Sequence, residues 1–285
     1  MERLSTRSRR RQTVAWLCLA VFISALTGCA HTADSSAAPD TPAEPVSELA
    51  RMEAAIQTSP DDPEAHYDLG NAYFDLGRYL EAAQAYRRAI ELRPDYAAAY
   101  CNLGLAQRRT GHVRDAVESY HTALQYDPND ATTLRNLVAA LRETGDLESA
   151  AAQLARLAEL EPDDVLVWSQ YGNLQFQLGH FEEAADAFMH VIELDPGMSS
   201  DYYNLGLCYL ELERYDSALT TWLTALAYNP DNASARKGLA VAYWRRGDYE
   251  QAWKAVVDCQ TRGIPLDPLF IEQLQQDSGQ VGPLP

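Results

Sequence analysis

Residues 69–94 read LGNAYFDLGRYLEAAQAYRRAIELRP. Two helix-forming runs are parted by Gly77 and closed by Pro94. A glycine can take the positive φ that ends a first helix, and a proline cannot continue a second. The stretch therefore predicts a helical hairpin. Working outward, Pro60, Pro94, Pro128, Pro162, Pro196 and Pro230 each lie 34 residues from the next. That interval is the length of one helix–turn–helix unit in a repeat solenoid.

Other positions keep the same period. Ala82, Ala116, Ala150, Ala184, Ala218 and Ala252 form a register with no exception. A small-residue register reads Gly70, Gly104, Val138, Gly172, Gly206, Ala240. A bulky one reads Tyr86, Tyr120, Leu154, Phe188, Trp222, Val256. The turn register reads Gly77, Gly111, Gly145, Gly179, Glu213, Gly247. Small residues on one helix admit a neighbouring backbone, and the bulky residues fill the remaining space. Asp95, Asn129, Asp163 and Asp231, just after their prolines, are expected to cap the following helix. Repeat three carries Val138 and Leu141 in place of its glycine and tyrosine, which predicts looser packing there.

The marks of residues 69–94 return in NLGLCYLELERYDSALTTWLTALAYNP at 204–230. Their pattern resembles the tetratricopeptide repeat family over about residues 63–266. The resemblance implies an all-α fold: a right-handed solenoid of six helix–turn–helix repeats with a concave inner face. The units run 63–96, 97–130, 131–164, 165–198, 199–232 and 233–266. Residues 267–285 are read as a short capping helix, opening at Leu266-Asp267-Pro268 and running Leu269 to Gln275, then a disordered tail.

The N-terminal segment carries a second signal. Arg3, Arg7, Arg9, Arg10 and Arg11 precede an apolar run of 13 residues, Val14 to Leu26. A bilayer span needs about 20 residues, so this run reads as a secretory leader. It ends in Leu26-Thr27-Gly28-Cys29, which resembles the bacterial lipobox. The resemblance implies a leader over 1–28 and lipidation at Cys29. The expected location is a membrane lipoprotein on the outer membrane, facing the periplasm. Residues 29–62, rich in Ala, Ser, Thr, Asp and Pro over 30–59, are read as a lipidated cysteine and a disordered tether.

The whole chain carries −18, and residues 1–28 hold five Arg and one Glu, so the remainder carries −22. Such a charge disfavours nucleic acid and anionic lipid surfaces. Cys101, Cys208 and Cys259 match no metal or redox spacing. Cys208 and Cys259 align with alanines and read as packing residues, whereas Cys101 aligns with concave-face positions. No catalytic, phosphate-loop or metal motif is present, so neither an enzyme, a cofactor nor a small-molecule substrate is expected.

The resemblance places the binding surface on the first helix of each pair. Superposed copies give four columns. The first runs Tyr67, Cys101, Arg135, Ser169, Tyr203, Lys237, and the second Asp68, Asn102, Asn136, Gln170, Asn204, Gly238. The third runs Asn71, Leu105, Ala139, Asn173, Leu207, Val241, and the fourth Phe74, Arg108, Arg142, Phe176, Leu210, Trp244. Asn102, Asn136 and Asn204 resemble the ladder by which some members of the family hold an extended peptide backbone. The plain alternative is polar side chains in a solvated groove. Arg108, Arg109, Arg135 and Arg142 make a basic cluster that suits an acidic segment, or else a solvated charge run. The family's clamp for C-terminal chaperone tails does not fit, since Tyr67, Thr132 and Asn136 stand where its cations would be.

Leader, lipobox and six repeats together resemble the pilotin lipoproteins of type IV pilus assembly, which implies a scaffold for secretin assembly. An adaptor that recruits cell-wall hydrolases or proteases is the second expectation. An enzyme accessory or glycan-binding module is the third. Amides and arginines favour peptide over glycan.

Overall fold

A computed structural model describes residues 45–280 and Gly282. The expectations for the leader, Cys29 and the last residues of the tail lie outside the described residues. The described residues form fourteen helices and no strand: α1 (Pro45–Thr58), α2 (Pro63–Asp75), α3 (Tyr79–Leu92), α4 (Ala97–Arg109), α5 (Val113–Tyr126), α6 (Ala131–Thr144), α7 (Leu147–Leu160), α8 (Val165–Leu178), α9 (Phe181–Leu194), α10 (Ser199–Glu211), α11 (Tyr215–Tyr228), α12 (Ala233–Arg246), α13 (Tyr249–Thr261) and α14 (Pro268–Ser278). They fall into two units, one reaching Cys208 and one starting at Tyr209.

In the first unit each helix from α1 to α9 packs on the next, and the first helices of neighbouring repeats touch, α2 with α4 and α4 with α6. The contacts are set by small residues. A Cβ added to Gly70 would lie 2.5 Å from the Tyr86 ring, and one added to Gly104 would lie 2.7 Å from Tyr120. The six register alanines are all at 0% exposure. In the first two repeats the ring of the second helix is thus pressed onto the backbone of the first.

Repeat three keeps a filled core. Val138 and Leu154 are both buried, and both sit within a core that runs from Cys101 to Leu174. A larger residue on the first helix is matched by a smaller one on the second, so volume is exchanged rather than lost. The backbones of α6 and α7 nevertheless approach closely over less of their length than those of the first, second and fourth hairpins, in line with the missing glycine.

Helix α1 corrects an expectation. Residues 45–58 were read as part of the tether, yet they form a helix that packs on α2. It lies 34 residues before α3, and Pro60 closes it as Pro94 closes α3. Met52 and Ile56, at the places of Tyr86 and Ile90, are half-buried, and the Tyr73 hydroxyl donates to Glu53 at 2.8 Å. Helix α1 is the second helix of an incomplete repeat. Glu48 where the other copies have alanine hides it from the register.

Capping is also shifted by one residue. The caps are Asp62, Asp130, Asp164 and Asn232, two after their prolines, with side chains accepting from backbone N–H at 2.9–3.1 Å. In the second repeat Tyr96 holds the place and makes no such bond. Three prolines have their carbonyls closed from six residues on, by His66 (2.9 Å), Trp168 (2.9 Å) and Arg236 (2.6 Å).

In the second unit α11, α12 and α13 pack in turn. A Cβ on Gly238 would lie 2.7 Å from the Trp222 ring. Helix α14 covers the end, longer than the predicted Leu269–Gln275. Phe270 and Leu274 are buried, and Phe270 meets Trp244 edge-on at 5.6 Å. Trp244 donates to Asp277 at 2.9 Å, and Trp253 to Ser278 at 3.2 Å.

Every turn glycine has a positive φ, and at the one exception Glu213 adopts it too, at 58°. A non-glycine residue there costs about 1–2 kcal/mol. Glycine adds unfolded-state freedom worth about 0.4–1 kcal/mol in the opposite direction. Glu213→Gly is expected to raise the melting temperature by about 2 °C, and Gly179→Glu to lower it. A thermal melt in which Glu213→Gly is neutral or destabilising overturns the strain assignment.

Candidate functional site

The site is built on the touching first helices. In the first interval, Asn71 and Tyr67 on α2, Tyr86 on α3 and Asn102 on α4 form one network. Asn71 Oδ1 accepts from the Tyr86 hydroxyl at 2.8 Å and from Asn102 Nδ2 at 2.9 Å. Asn102 Nδ2 also donates to the Tyr67 hydroxyl at 3.0 Å. Burial pushes the Tyr86 phenol far above its ordinary value, so it stays a neutral donor. Much of the amide capacity expected to hold a ligand is therefore spent inside the fold. Asn71 also hydrogen-bonds the Tyr67 phenol.

One period on, the network does not close. Leu105 replaces Asn71, Cys101 replaces Tyr67, Tyr120 replaces Tyr86 and Asn136 replaces Asn102. Asn136 Nδ2 reaches only Cys101 Sγ, at 3.8 Å. The Tyr120 hydroxyl is buried without a partner among the described residues. Cys101 is 6% exposed and its thiol is pushed up by burial, which makes it a packing residue rather than a reactive group.

The arginine cluster separates into two kinds. Arg108 holds Glu143 through Nε at 2.9 Å and Nη2 at 2.5 Å. Arg135 holds Glu161, and Asp164 at 2.8 Å. Burial opposes ionisation of Asp164. The Arg135 guanidinium and the N–H groups of Val167 and Leu166 outweigh it and hold the carboxyl below the usual range. Arg135 thus braces the start of α8. Arg109 and Arg142 are exposed and make no ion pair among the described residues.

The remaining expected residues lie half-buried on first helices. Phe74 packs edge-on against Tyr79 at 5.0 Å, and Phe176 against Phe181 at 5.2 Å. Asn173 stands on α8 beside a repeat whose ring is Phe188, which has no hydroxyl for it to accept. Asn204 is half-buried on α10. No group of metal-ligating side chains occurs among the described residues, nor a helix long and apolar enough to cross a membrane.

Sequence reasoning missed Asp201. It occupies a column otherwise filled by Ala65, Ala99, Thr133, Val167 and Ala235, and is 3% exposed. Its carboxylate accepts from Ser169 Oγ at 3.3 Å and Ser200 Oγ at 3.0 Å. Burial pushes its carboxyl up, and the two hydroxyls only partly offset that. A lone acid in an apolar column was the available signal.

Sequence profiles described as TPR repeat match residues 50–77 and 70–111. Profiles described as tetratricopeptide repeat match 107–174, 165–198 and 203–258. No curated protein matches the chain. Among solved structures, YrrB, titled a TPR protein with an unusual peptide-binding site, is 25% identical over 65% of this chain and 95% of its own, with a TM-score of 0.55. Naa15/Naa10 bound to HypK-THB is 15% identical over 83% of this chain and 37% of its own, with a TM-score of 0.68. A tetratricopeptide repeat protein from Parabacteroides merdae is 20% identical over 76% of this chain and 87% of its own, with a TM-score of 0.50. The last two show a shared fold.

The two tyrosines give opposed expectations. Tyr86→Phe removes a donor from Asn71 and is expected to cost about 1 kcal/mol. Tyr120→Phe removes an unpartnered hydroxyl and is expected to be neutral or stabilising. Equal losses in denaturant melts reject the difference between the intervals.

Asp201 predicts a pH dependence. Its folded value lies above its unfolded one, so the native state holds the proton more tightly. Stability from this site is full below the ordinary carboxylate range and is lost as pH rises through the raised value. Asp201→Asn is expected to raise the melting temperature by about 3 °C at pH 7, with the gain shrinking towards pH 4. A gain independent of pH refutes the assignment.

Proposed function

The chain belongs to the tetratricopeptide repeat family, and from that premise we propose that it is a lipid-anchored periplasmic scaffold holding an extended segment of a partner protein. The observation that carries the reading is the row of amides on touching first helices. Asn71, Asn102 and Asn136 follow one another across α2, α4 and α6, each half-buried on its first helix. An extended backbone presents alternating N–H and C=O groups, and an amide offers a donor and an acceptor to match. YrrB, similar over most of its length, is described as having an unusual peptide-binding site, which supports the same use of the fold here.

Anchoring rests on the basic start, the apolar run and Cys29. Each buried CH₂ of an acyl chain contributes about 0.8 kcal/mol, so acylation rather than surface charge would hold a chain of this acidity at a membrane. The order of leader, lipidated cysteine and six repeats fits a pilotin-like role in secretin assembly.

The test is affinity capture with the full-length tagged chain from solubilised membranes. The wild type is expected to capture a partner, and Arg109→Glu with Arg142→Glu to lose it, since both side chains are exposed and brace nothing. Arg87→Glu with Arg88→Glu, on a second helix, should retain it. Capture of a secretin supports the pilotin role, and capture of a hydrolase sinks it. Cys29→Ala should leave the membrane fraction. Undiminished capture by the Arg109/Arg142 variant refutes binding along the first helices.

A further inference from the structure

Leu80 is the apolar member of a charged column. At the same place in the later repeats stand Arg114, Glu148, Glu182, Asp216 and Glu250. Leu80 is 61% exposed, and Leu76, just past the end of α2, is 40% exposed. Tyr73 and Tyr79 flank the two leucines in the chain and are half-buried. A side chain in the first turn of a helix leans towards that helix's N-terminus. Leu80, the second residue of α3, therefore leans over the turn between α2 and α3.

This turn lies at the edge where the N-terminal segment enters. Helices α1 and α2 pack on each other and are joined by residues 59–62, so they run antiparallel. The start of α1 and the end of α2 therefore share one edge. The 16 residues from Cys29 to Pro45 reach at most about 55 Å, so an acyl chain on Cys29 would hold this edge near the bilayer. Charge separates the two edges of the first two repeats. At the turns, Arg78, Arg109 and Arg114 balance Asp75, Glu81 and Asp115. At the opposite helix ends, Asp61, Asp62, Glu64, Asp95, Asp127 and Asp130 outnumber Arg93. The helices between are 13 or 14 residues long, about 20 Å. That exceeds the Debye length of about 8 Å, so those acids are screened from a surface touching the turns.

We infer that the turn between α2 and α3 is a lipid-facing surface, on which Leu76 and Leu80 insert into the membrane that holds the chain and the acidic ends of repeats one and two point away from it. The inference rests on the proposed lipid anchor and adds an orientation to it. A charge-balanced edge with two exposed leucines suits a zwitterionic surface, where burial of the side chains rather than charge holds the contact. Tyr73 and Tyr79 suit the headgroup level, each with an apolar ring and a polar hydroxyl.

The test uses the full chain, purified from membranes and reconstituted through its own anchor into vesicles of phosphatidylcholine and phosphatidylethanolamine. Leu80→Cys and, separately, Asp95→Cys carry an environment-sensitive dye. Cys101, Cys208 and Cys259 are buried and do not compete for it. The dye at position 80 should emit to the blue and lose most of its emission to nitroxide-bearing lipids. The dye at position 95, on the acidic edge, should stay water-like and unquenched. Leu76→Ser in the Leu80→Cys chain should lower the docked-to-free ratio read from quenching about tenfold, the loss of one inserted leucine. A chain that does not stay with the vesicles overturns the anchor reading and this surface with it. A chain that stays, with both dyes water-like, overturns the surface and leaves the anchor standing. A blue-shifted dye at position 80 that nitroxide lipids do not quench is covered by a second copy or another protein, which overturns the lipid assignment. If Leu80→Cys does not fold, Leu76→Cys takes its place, and a water-like dye there overturns the surface equally.

Discussion

An aromatic ring pressed against a helix backbone that lacks a Cβ is the contact on which this structure depends. Tyr86 on Gly70, Tyr120 on Gly104 and Trp222 on Gly238 leave no room for a methyl group. The register alanines, all fully buried, set the distance at which each second helix sits. A methyl there would force off-rotamer rings and backbone shifts costing about 1–3 kcal/mol. This contact also reaches beyond the core. A tyrosine ring crossing the hairpin delivers its hydroxyl beside the first-helix face, at Asn71 in the first interval. The residue chosen to fill the core therefore decides what polar group stands under the binding surface.

Charge is organised by scarcity. With −22 over residues 29–285, each arginine has many carboxylates to choose from. Arg108, Arg135 and Arg236 are taken by Glu143, by Glu161 with Asp164, and by Asp258. Partly exposed pairs of this kind contribute about 0–1 kcal/mol each, so their effect lies more in placing loops and helix starts than in stability. Arg135 shows this, since its carboxylate Asp164 also caps α8. The cations left over gain meaning from the ones already used.

The periodic part of the fold was legible because packing repeats what it requires. A fixed proline interval and the alanine register located every helix of the six repeats, including the turn where Glu213 replaces glycine. What the sequence hid was compensation. Val138 reads as a defect and packs as one half of an exchange with Leu154. Helix α1 lacks the register alanine and sits in a polar, proline-flanked stretch, so composition outweighed period. The candidate site was legible as a face but not as a circuit. Asn102 and Arg135 were placed correctly on first helices. Their hydrogen bonds, to Tyr67 and Asn71 and to Glu161 and Asp164, join residues 26 to 35 positions apart. Column alignment compares equivalent positions and does not see such cross-repeat partners.

Repetition creates a difficulty that the departures from it resolve. Identical amides at every interval would hold an extended backbone equally well in several registers, and the bound segment could slip by one repeat. The intervals here are not identical. The first is closed by Asn71, the second buries the Tyr120 hydroxyl without a partner among the described residues, the third has Ala139 and Leu154 and nothing to donate from those positions, and the fourth pairs Asn173 with Phe188 in the register. A ligand group that suits one interval is mismatched at its neighbours, where it would meet a satisfied network or an apolar floor. Discrimination by leaving a buried polar group unpaired is stronger than discrimination by apolar fit. The variation along the column Asn71, Leu105, Ala139 and Asn173 is therefore what would give a bound segment a register.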